Sequence, residues 1–408
     1  MICLFGIVGC YAYDTGQQIF RPDVRTLTVV NPDDFMAPPV IRMGTRDRLN
    51  INFDIIGDEH EYLRYRLIHC NANWQPSRLM ESEYIDGFNE AQIDDFEYSS
   101  NTYIHYVNYN ISFPNEDIPI VKSGNYLLQV YPEYEPDDVL LQARFSVSEE
   151  VAPVKGGVTT RTDRGVDSEY QQLFLSVNSS SLGNINPYQD IVVSITQNGR
   201  PETMSFLSHP LRVEGGNVVF EHSPELVFEA SNEYRRFETV RTDYPGMHVD
   251  SVKFYDGIWN AWLQPDSPRD HRKYNFDKTQ HGRFKIDEYN SSDPDLSGDY
   301  VLVHFTLDPV VTPKGSIFVD GNFTNHQFDD SNLMKYDWND GLYHASIPLK
   351  QGSYNYQYVV IPEGGGYPSP KPIEGNKYET ENEYLVEVFL RTPGSRGDRL
   401  VGSTLLIP

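Results

Sequence analysis

Two neighbouring residues, His69 and Cys70, are of the types that a nucleophilic enzyme would use, and Trp74 follows shortly after them. A thiol nucleophile needs its base within hydrogen-bond reach. The residues around this pair alternate as in a β-strand, where successive side chains point to opposite faces. Because His69 and Cys70 therefore diverge, we expect a buried thiol and a hydrogen-bonded histidine, not a catalytic pair.

Adjacent carboxylates occur at positions 94–95 and 137–138. The two carboxyl groups of a glycosidase must face each other across the sugar, and neighbours on an extended backbone do not. Acidic residues at 329–330 and 293–299 could ligate calcium, but the spacing of an EF-hand loop is absent. We therefore predict no catalytic residue, no metal site and no cofactor.

The short motifs of nucleotide, acyl-transfer and zinc chemistry are absent from the sequence: GxGxxG, the Walker loop, GxSxG and HExxH. Three glycines at 364–366 precede Tyr-Pro-Ser-Pro, which begins no helix, so we interpret them as a flexible turn and not as a phosphate-binding loop. An enzyme is thus the least supported class of function. A hydrolase would need two carboxylates in one cleft, about 5–10 Å apart.

The composition favours a β-rich, acidic protein. The chain has 408 residues with 28 Tyr and 21 Phe, and 59 acidic against 33 basic residues give a net charge of −26. Such a surface repels nucleic acid and anionic lipid, so we predict neither as a partner. No run of roughly 18 apolar residues predicts a membrane span.

The first twelve residues, MICLFGIVGCYA, resemble the apolar part of a secretory signal, although no Lys or Arg precedes Arg21. We therefore expect an exported protein. The letters IVGC, ending at Cys10, resemble a lipoprotein cleavage box, so a lipid anchor is one alternative and cleavage after Ala12 is the other. Without this segment only Cys70 remains, which leaves no internal disulfide.

The strands needed to position these residues are predicted by period-2 alternation of apolar side chains. In the first third of the chain they cover residues 25–30, 49–56, 62–70, 102–113, 124–131 and 140–147. Their regular spacing, with turn signals between them, is typical of a β-sandwich. Residues 149–167 have the composition of a linker.

Further strands are predicted at 173–177, 191–197, 218–220, 238–240, 284–286, 299–307, 315–322, 352–361 and 383–391. The Asn-Asp-Gly turn at 339–341 predicts a hairpin over 338–349. We predict an all-β protein of tandem β-sandwich domains. The predicted division is a signal-like segment and entry at 1–24, then domains at 25–150, 151–298 and 299–408.

Several sequence blocks together resemble the plug protein family of the bacterial type IX secretion system. The blocks are HCNANWQPS (69–77), EYIDGF (83–88), SNT (100–102) with Tyr106 and Tyr109, SGNY (123–126), QNGR (197–200), NEYRRF (232–237), GNKYETENEY (375–384), and Arg391 with DRLVG (398–402). This resemblance implies a periplasmic, non-enzymatic protein of immunoglobulin-like β-domains. It also implies a partner, the outer-membrane translocon barrel, whose periplasmic opening the protein would seal.

The third unit separately resembles the early-set, glycogen-binding class of β-sandwich. The matching residues are GSIFVDGNFTN (315–325) and the 341–358 hairpin. This resemblance implies an alternative function, carbohydrate binding through Phe323, His326 and Tyr367. Because His326 and Gln357 stand where that class places a Trp and a Lys, we expect the fold to be retained and the ligand to be lost.

Six aromatic residues from the family blocks are our candidates for contact with the partner: Trp74, Tyr84, Phe88, Tyr106, Tyr378 and Tyr384. Aromatic side chains supply large contact areas in protein interfaces. Ordinary strand packing or buried contacts between domains would explain the same residues equally well.

Overall fold

A computed structural model describes residues 15–308 and 314–408. The strands of the first third are β1 (Gln18–Ile19), β2 (Val24–Val30), β3 (Val40–Arg42), β4 (Leu49–Ile56), β5 (Leu63–Cys70), β6 (Ala91–Gln92), β7 (Phe96–Tyr98), β8 (Tyr106–Phe113), β9 (Gly124–Pro132) and β10 (Leu141–Ser148). Those that follow are β11 (Val154–Thr159), β12 (Arg161–Thr162), β13 (Gly165–Val166), β14 (Tyr170–Asn178), β15 (Ile191–Gln197), β16 (Ser205–Leu207), β17 (Arg212–Glu214), β18 (Asn217–Phe220) and β19 (Val227–Glu229).

The remaining strands are β20 (Arg235–Glu238), β21 (Val249–Tyr255), β22 (Ile258–Leu263), β23 (Phe284–Ile286), β24 (Tyr300–Leu307), β25 (Gly315–Asp320), β26 (Lys335–Asp337), β27 (Leu342–Lys350), β28 (Gly352–Pro362), β29 (Tyr384–Leu390) and β30 (Arg399–Leu406). The α-helices are single turns, α1 (Pro187–Asp190), α2 (Pro294–Ser297) and α3 (Lys371–Glu374). Turns of 3-10 helix lie at Glu81–Glu83, Pro201–Thr203, Pro224–Leu226 and Asn322–Thr324. Within the described ranges, no helix has the length and apolar character to cross a membrane.

The first sandwich packs two sheets around one core. One sheet has the order β1-β10-β9-β5-β6, with β3 parallel to β10, and the other has the order β2-β4-β8-β7. The alternation of β4 explains its place: Leu49, Ile51, Phe53 and Ile55 point inward and are at most 3% exposed. These residues join the buried aromatic and aliphatic side chains of β5, β8, β9 and β10.

The middle sandwich is built from two separate parts of the chain. One sheet has the order β11-β14-β18-β17, with β19 on β14, and the other has the order β16-β15-β29-β30. The last two strands, β29 and β30, therefore complete a core that begins at Ala152. The third sandwich is inserted between β19 and β29.

The third sandwich pairs β20-β28-β23, with β25 on β28, against a five-stranded sheet of order β21-β22-β24-β27-β26. Strands β22 and β24 run parallel, while the other neighbours in this sheet are antiparallel. Its core is rich in rings, because Tyr354, Tyr356 and Tyr358 alternate inward along β28 and are buried.

The all-β prediction is confirmed, and β4, β15 and β23 have the predicted bounds. A hairpin at the predicted 339–341 turn is formed by β26 and β27, which pair Asp337 with Leu342, but its first strand lies before the predicted start at 338. The predicted 341–358 hairpin is wrong, since β27 and β28 belong to different sheets. The linker prediction for 149–167 is also wrong, because β11 pairs along β14 there.

The three cores group residues differently from the predicted division at 298. Strands β21 and β22 share a sheet with β24, so that boundary falls inside one core. Strands β29 and β30, predicted in the last domain, belong to the middle sandwich. Local alternation does not identify the partner of a strand, which accounts for both differences. The signal-like segment and Cys10 lie outside the described residues.

Candidate functional site

His69 and Cys70 are buried in the first sandwich, where they serve as packing residues. The His69 ring packs edge-on against Tyr126 at 5.2 Å, and its Nε2 lies 3.0 Å from the Ser123 carbonyl oxygen. A side chain at Gly124 would collide with this ring, so glycine is required there. Burial lowers the pKa of His69 and raises the pKa of Cys70 to about 12. The thiol is therefore unreactive, as expected.

The block at 69–77 contacts the tail of the chain, where the first and middle sandwiches meet. The Ala72 backbone N–H donates to Asp398 Oδ2 at 3.1 Å, and the Asp398 N–H donates to Asn71 Oδ1 at 3.0 Å. Arg391 donates two hydrogen bonds to the Asp398 carboxylate, at 2.8 and 2.7 Å. The apolar part of this contact consists of Ala72, Val192, Phe389 and Leu400.

Two ion pairs with partly exposed arginines flank this first–middle junction. Arg399 lies 2.5 Å from Glu149, and Arg396 lies 2.6 Å from Glu83. The arginine side chains are 43% and 49% exposed. Because exposed pairs contribute little, the buried Asp398 must provide most of the polar specificity here.

The junction between the first and third sandwiches is dry and charged. Lys350 Nζ lies 2.8 Å from Asp54 Oδ2, with side chains 1% and 0% exposed. The Tyr300 hydroxyl donates to the same oxygen at 2.6 Å, and Asn108 donates to Asp54 Oδ1 at 2.8 Å. The ammonium also sits 4.0 Å from the centre of the Tyr106 ring. Such a pair tolerates burial only because its hydrogen bonds are satisfied.

Backbone contacts extend this first–third junction. The Tyr106 hydroxyl donates to the carbonyl oxygens of Asp295 and Gly298, at 3.1 and 2.9 Å. The Asp299 carboxylate accepts from the backbone N–H groups of Tyr103 and Ile104, at 2.9 and 3.1 Å. Burial, followed by the Asp54 carboxylate, raises the pKa of both Tyr106 and Tyr300 above the usual tyrosine range, so both hydroxyls remain donors.

The junction of the middle and third sandwiches carries the blocks at 197–200, 232–237 and 375–384. Asn382 donates to Gln171 Oε1 at 2.9 Å and to the Ala230 carbonyl at 2.7 Å, and the Tyr384 hydroxyl donates to Gln171 Oε1 at 2.7 Å. On the third-sandwich side, Arg235 binds the fully buried Glu374 at 3.0 Å. These polar side chains thus hold in place the two segments, 230–234 and 375–383, in which the chain passes between the middle and third sandwiches.

A buried histidine lies in the same middle–third junction. His326 Nδ1 is 2.9 Å from Asp320 Oδ1, and Gln357 donates to Asp320 Oδ2 at 2.9 Å. Burial alone would lower the pKa of His326, but the Asp320 carboxylate outweighs it and raises that pKa. Burial alone would raise the pKa of Asp320, but His326 and then Arg200 hold it below its usual value.

The structure buries four of the six predicted contact residues. Trp74, Tyr84, Tyr106 and Tyr384 are 8%, 5%, 1% and 0% exposed. Trp74 lies under the Arg144 guanidinium, whose carbon is 4.3 Å from a ring centre. Tyr378 is partly exposed, and only Phe88, at 87% exposure, stands free at the surface. Trp74 and Tyr106 lie at contacts between sandwiches, whereas Tyr84 packs in the core of the first sandwich and Tyr384 in that of the middle one.

The three predicted sugar-binding residues are not brought together. Phe323 packs edge-on against Tyr354 at 5.5 Å, His326 bonds to Asp320, and Tyr367 is 86% exposed. They line three different pockets. Gln357, where the early-set class has a lysine, also bonds to Asp320. No aromatic platform forms at these positions.

The charged pair that joins the first and third sandwiches was missed by sequence reasoning, although Tyr106 beside it was a candidate. Asp54 occupies a polar position of an ordinary alternating strand, and Lys350 ends another strand 296 residues later. Neither position has a local sequence pattern that predicts a contact between domains. In the ranges 15–308 and 314–408, no group of three His, Cys, Asp or Glu side chains is placed to bind a metal ion.

Three β-sandwiches joined by buried polar contacts define an all-β, multi-domain protein. A search among curated proteins returned no match. Residues 24–149 match the family model described as "Type 9 secretion system plug protein 1st domain". The chain is similar to the crystal structure of a hypothetical protein from Parabacteroides merdae ATCC 43184, with 35% identity, a TM-score of 0.93, and coverage of 96% of this chain and 99% of that one.

The chain belongs to the type 9 secretion system plug protein family. This membership supports a plug role in that system, and together with the all-β fold it favours a non-catalytic protein. Collagen adhesin from S. aureus and a putative membrane anchored protein from Corynebacterium diphtheriae were also returned, at 9% and 8% identity. They cover 94% of this chain and 91% and 90% of their own chains, but their TM-scores of 0.12 and 0.14 carry no argument.

Proposed function

We propose that this protein is a non-enzymatic plug that resides in the periplasm and binds and seals the periplasmic opening of the type 9 secretion translocon barrel in the outer membrane. Membership of the plug family gives the class of function. The observation that carries the sealing role is that each pair of sandwiches is joined by buried or nearly buried polar contacts, as at Asp54–Lys350, Ala72–Asp398 and Arg283–Glu383.

This arrangement suits a plug because contacts between all three sandwiches restrict their relative motion. Domains joined by flexible linkers move relative to one another by default. Here every pair of sandwiches is in contact, so movement about one junction would have to break at least one of the other two. A body that closes a wide aqueous pore must keep its shape, since any gap between its domains would leak.

The test is a deletion of the gene in the native host. We expect secretion to continue while the outer membrane becomes permeable to a bulky glycopeptide antibiotic that the parent strain excludes. A plasmid copy of the wild-type gene serves as the control and restores exclusion. Unchanged antibiotic sensitivity in the deletion strain would contradict the sealing role.

A second experiment tests the partner directly. A tagged copy of the chain is used to isolate complexes from outer-membrane extract, and the bound proteins are identified by mass spectrometry. We expect one very large barrel protein. Enrichment of glycans without a barrel would favour the carbohydrate-binding alternative instead.

A further inference from the structure

The five-stranded sheet of the third sandwich has one face that is only partly covered. Its inward side chains, such as Val303 and Ile347, pack in the core. At one end of the outward face, Tyr300 and Lys350 are covered by the first sandwich. Further along the same strands the cover ends, and Ser346 is exposed. The open face is therefore continuous with the first–third junction.

Three rings cross this open face as a stacked row, which we call the ring row: Tyr255, Trp262 and His304. The Tyr255 and Trp262 rings are 6.0 Å apart and inclined by 18°, and the Trp262 and His304 rings are 4.7 Å apart and inclined by 12°. Trp262 thus has a ring neighbour on each adjacent strand, and the three rings form one continuous aromatic area. Such an area suits contact with a protein surface.

Hydrogen-bond contacts to both ring nitrogens of His304 hold one end of the ring row rigid. His304 Nε2 lies 2.9 Å from Oδ1 of Asn260, which is fully buried, and His304 Nδ1 lies 2.8 Å from Ser346 Oγ. Burial lowers the pKa of His304, which keeps the ring neutral in this stack. Rigid aromatic side chains lose little conformational entropy when they bind, a property of interface hot spots.

The charge of this face differs from that of the chain as a whole. The outward positions of β22, β24 and β27, from Ile258, Tyr300 and Leu342 onward in alternation, include no Asp or Glu. Acidic residues flank this face at the β26 edge, where Asp337 pairs with Leu342 and Asp340 lies 2.9 Å from His344. Lys253 on the neighbouring strand lies 5.7 Å from a Trp262 ring centre, and it forms no salt bridge within the described ranges. In a chain of net charge −26, this is a surface that another acidic protein can approach.

We propose that the open face around the ring row is the surface that docks on the partner, and this inference rests on the proposed function. The occupant is the periplasmic side of the translocon barrel, at a patch that presents apolar side chains to the ring row and a carboxylate to Lys253. The complementary charge sets the orientation, and the rings supply the buried centre of the contact.

Site-specific photo-crosslinking in cells tests this assignment. A photoreactive amino acid replaces Tyr255 in one strain, and the 85%-exposed Tyr134 of the first sandwich or the 49%-exposed Tyr188 of the middle sandwich in matched control strains. We expect a crosslink to the barrel from position 255 and none from 134 or 188.

Two other outcomes would overturn the inference, and they differ in what they mean for the function. A crosslink to the barrel from 134 or 188 but not from 255 would leave the plug role intact and show that another face docks. No barrel crosslink from any position, together with no barrel in the isolated complexes, would contradict the proposed function as well.

Affinity measurements with purified barrel sharpen the test. We expect Trp262→Ala to weaken binding about 30-fold, the usual size of a hot-spot effect, and Lys253→Glu to weaken it about 10-fold with a reduced salt dependence. Tyr134→Ala is the matched control and should bind like the wild type. Each variant is first compared with the wild type in urea unfolding, and equal affinities among folded variants would refute the docking face.

Discussion

The first sandwich is attached to its two neighbours in opposite ways. Toward the third sandwich it uses Asp54 and Lys350, a charge pair with no access to water. Toward the middle sandwich it uses hydrogen bonds between loops, flanked by pairs such as Arg399–Glu149 that solvent reaches. The comparison indicates that one junction depends on complete pairing, whereas the other tolerates the loss of any single ion pair.

Breaking the buried Asp54–Lys350 ion pair should have the largest effect on stability. Lys350→Met leaves the Asp54 carboxylate buried without its counter-charge, so we expect the free energy of unfolding to fall by about 3–5 kcal/mol. Urea unfolding of the purified chain measures this. The double variant Asp54→Asn, Lys350→Met removes both charges and should recover much of the loss. If the stability of Lys350→Met alone lies within about 1 kcal/mol of the wild type, water reaches the pair, contrary to the structure.

Asp398→Ala tests the first–middle junction at its buried acceptor. The Ala72 N–H and Arg391 would lose their partner, and we expect a loss of about 1–3 kcal/mol. The matched control is Arg391→Ala, which removes a half-exposed partner and should cost less than about 1 kcal/mol. Equal losses for the two variants would indicate that the acceptor role of Asp398 is minor.

The middle–third junction should depend on pH through His326 and Asp320. The raised pKa of His326 stabilises the fold fully below its unfolded value near 6.5, and this contribution disappears as pH rises through the folded value. The lowered pKa of Asp320 stabilises the fold above about 3.8, and this contribution disappears as pH falls through the folded value.

We therefore expect the free energy of unfolding, measured with urea, to decrease as pH rises above about 6.5, by about 1.4 kcal/mol for each unit by which the His326 pKa is raised. His326→Gln should flatten that part of the profile and also weaken the acid side, because His326 is the first of the groups that hold the Asp320 pKa down. A wild-type profile that is flat across the same range would show that the histidine is not charged in the folded protein.

Removing an exposed pair should have the smallest effect. Arg399→Ala breaks the contact with Glu149, and we expect a loss below about 1 kcal/mol that shrinks further in high salt. Thermal unfolding at low and high ionic strength measures it. A loss as large as that of Lys350→Met would remove the contrast between the two junctions.

Much of the fold could be predicted because strand alternation is local. Strand β4 was recognisable from Leu49, Ile51, Phe53 and Ile55 alone, since each inward residue is two positions from the next. The pairing of β15 with β29 could not be predicted, because no local pattern connects residue 191 with residue 390.

The candidate site was predicted only in part. The aromatic residues in the family blocks do not reveal by type whether they face a partner, a neighbouring domain or a core. The structure buries both Trp74 and Tyr384, the first beside Met204 of the middle sandwich and the second in the core of that sandwich. The ring row was missed because Tyr255, Trp262 and His304 come from three strands and are gathered only by the sheet.

The insertion of the third sandwich into the middle one has a consequence for biogenesis. Ala152 and its neighbours cannot bury their core until Tyr384–Leu406 arrives, because β29 supplies the partner of β15. During vectorial synthesis, the first and third sandwiches can therefore mature while the middle one waits with an unpaired strand edge. Such edges attract other chains. A chaperone that covers this intermediate would thus be needed most by the part of the molecule that is completed last.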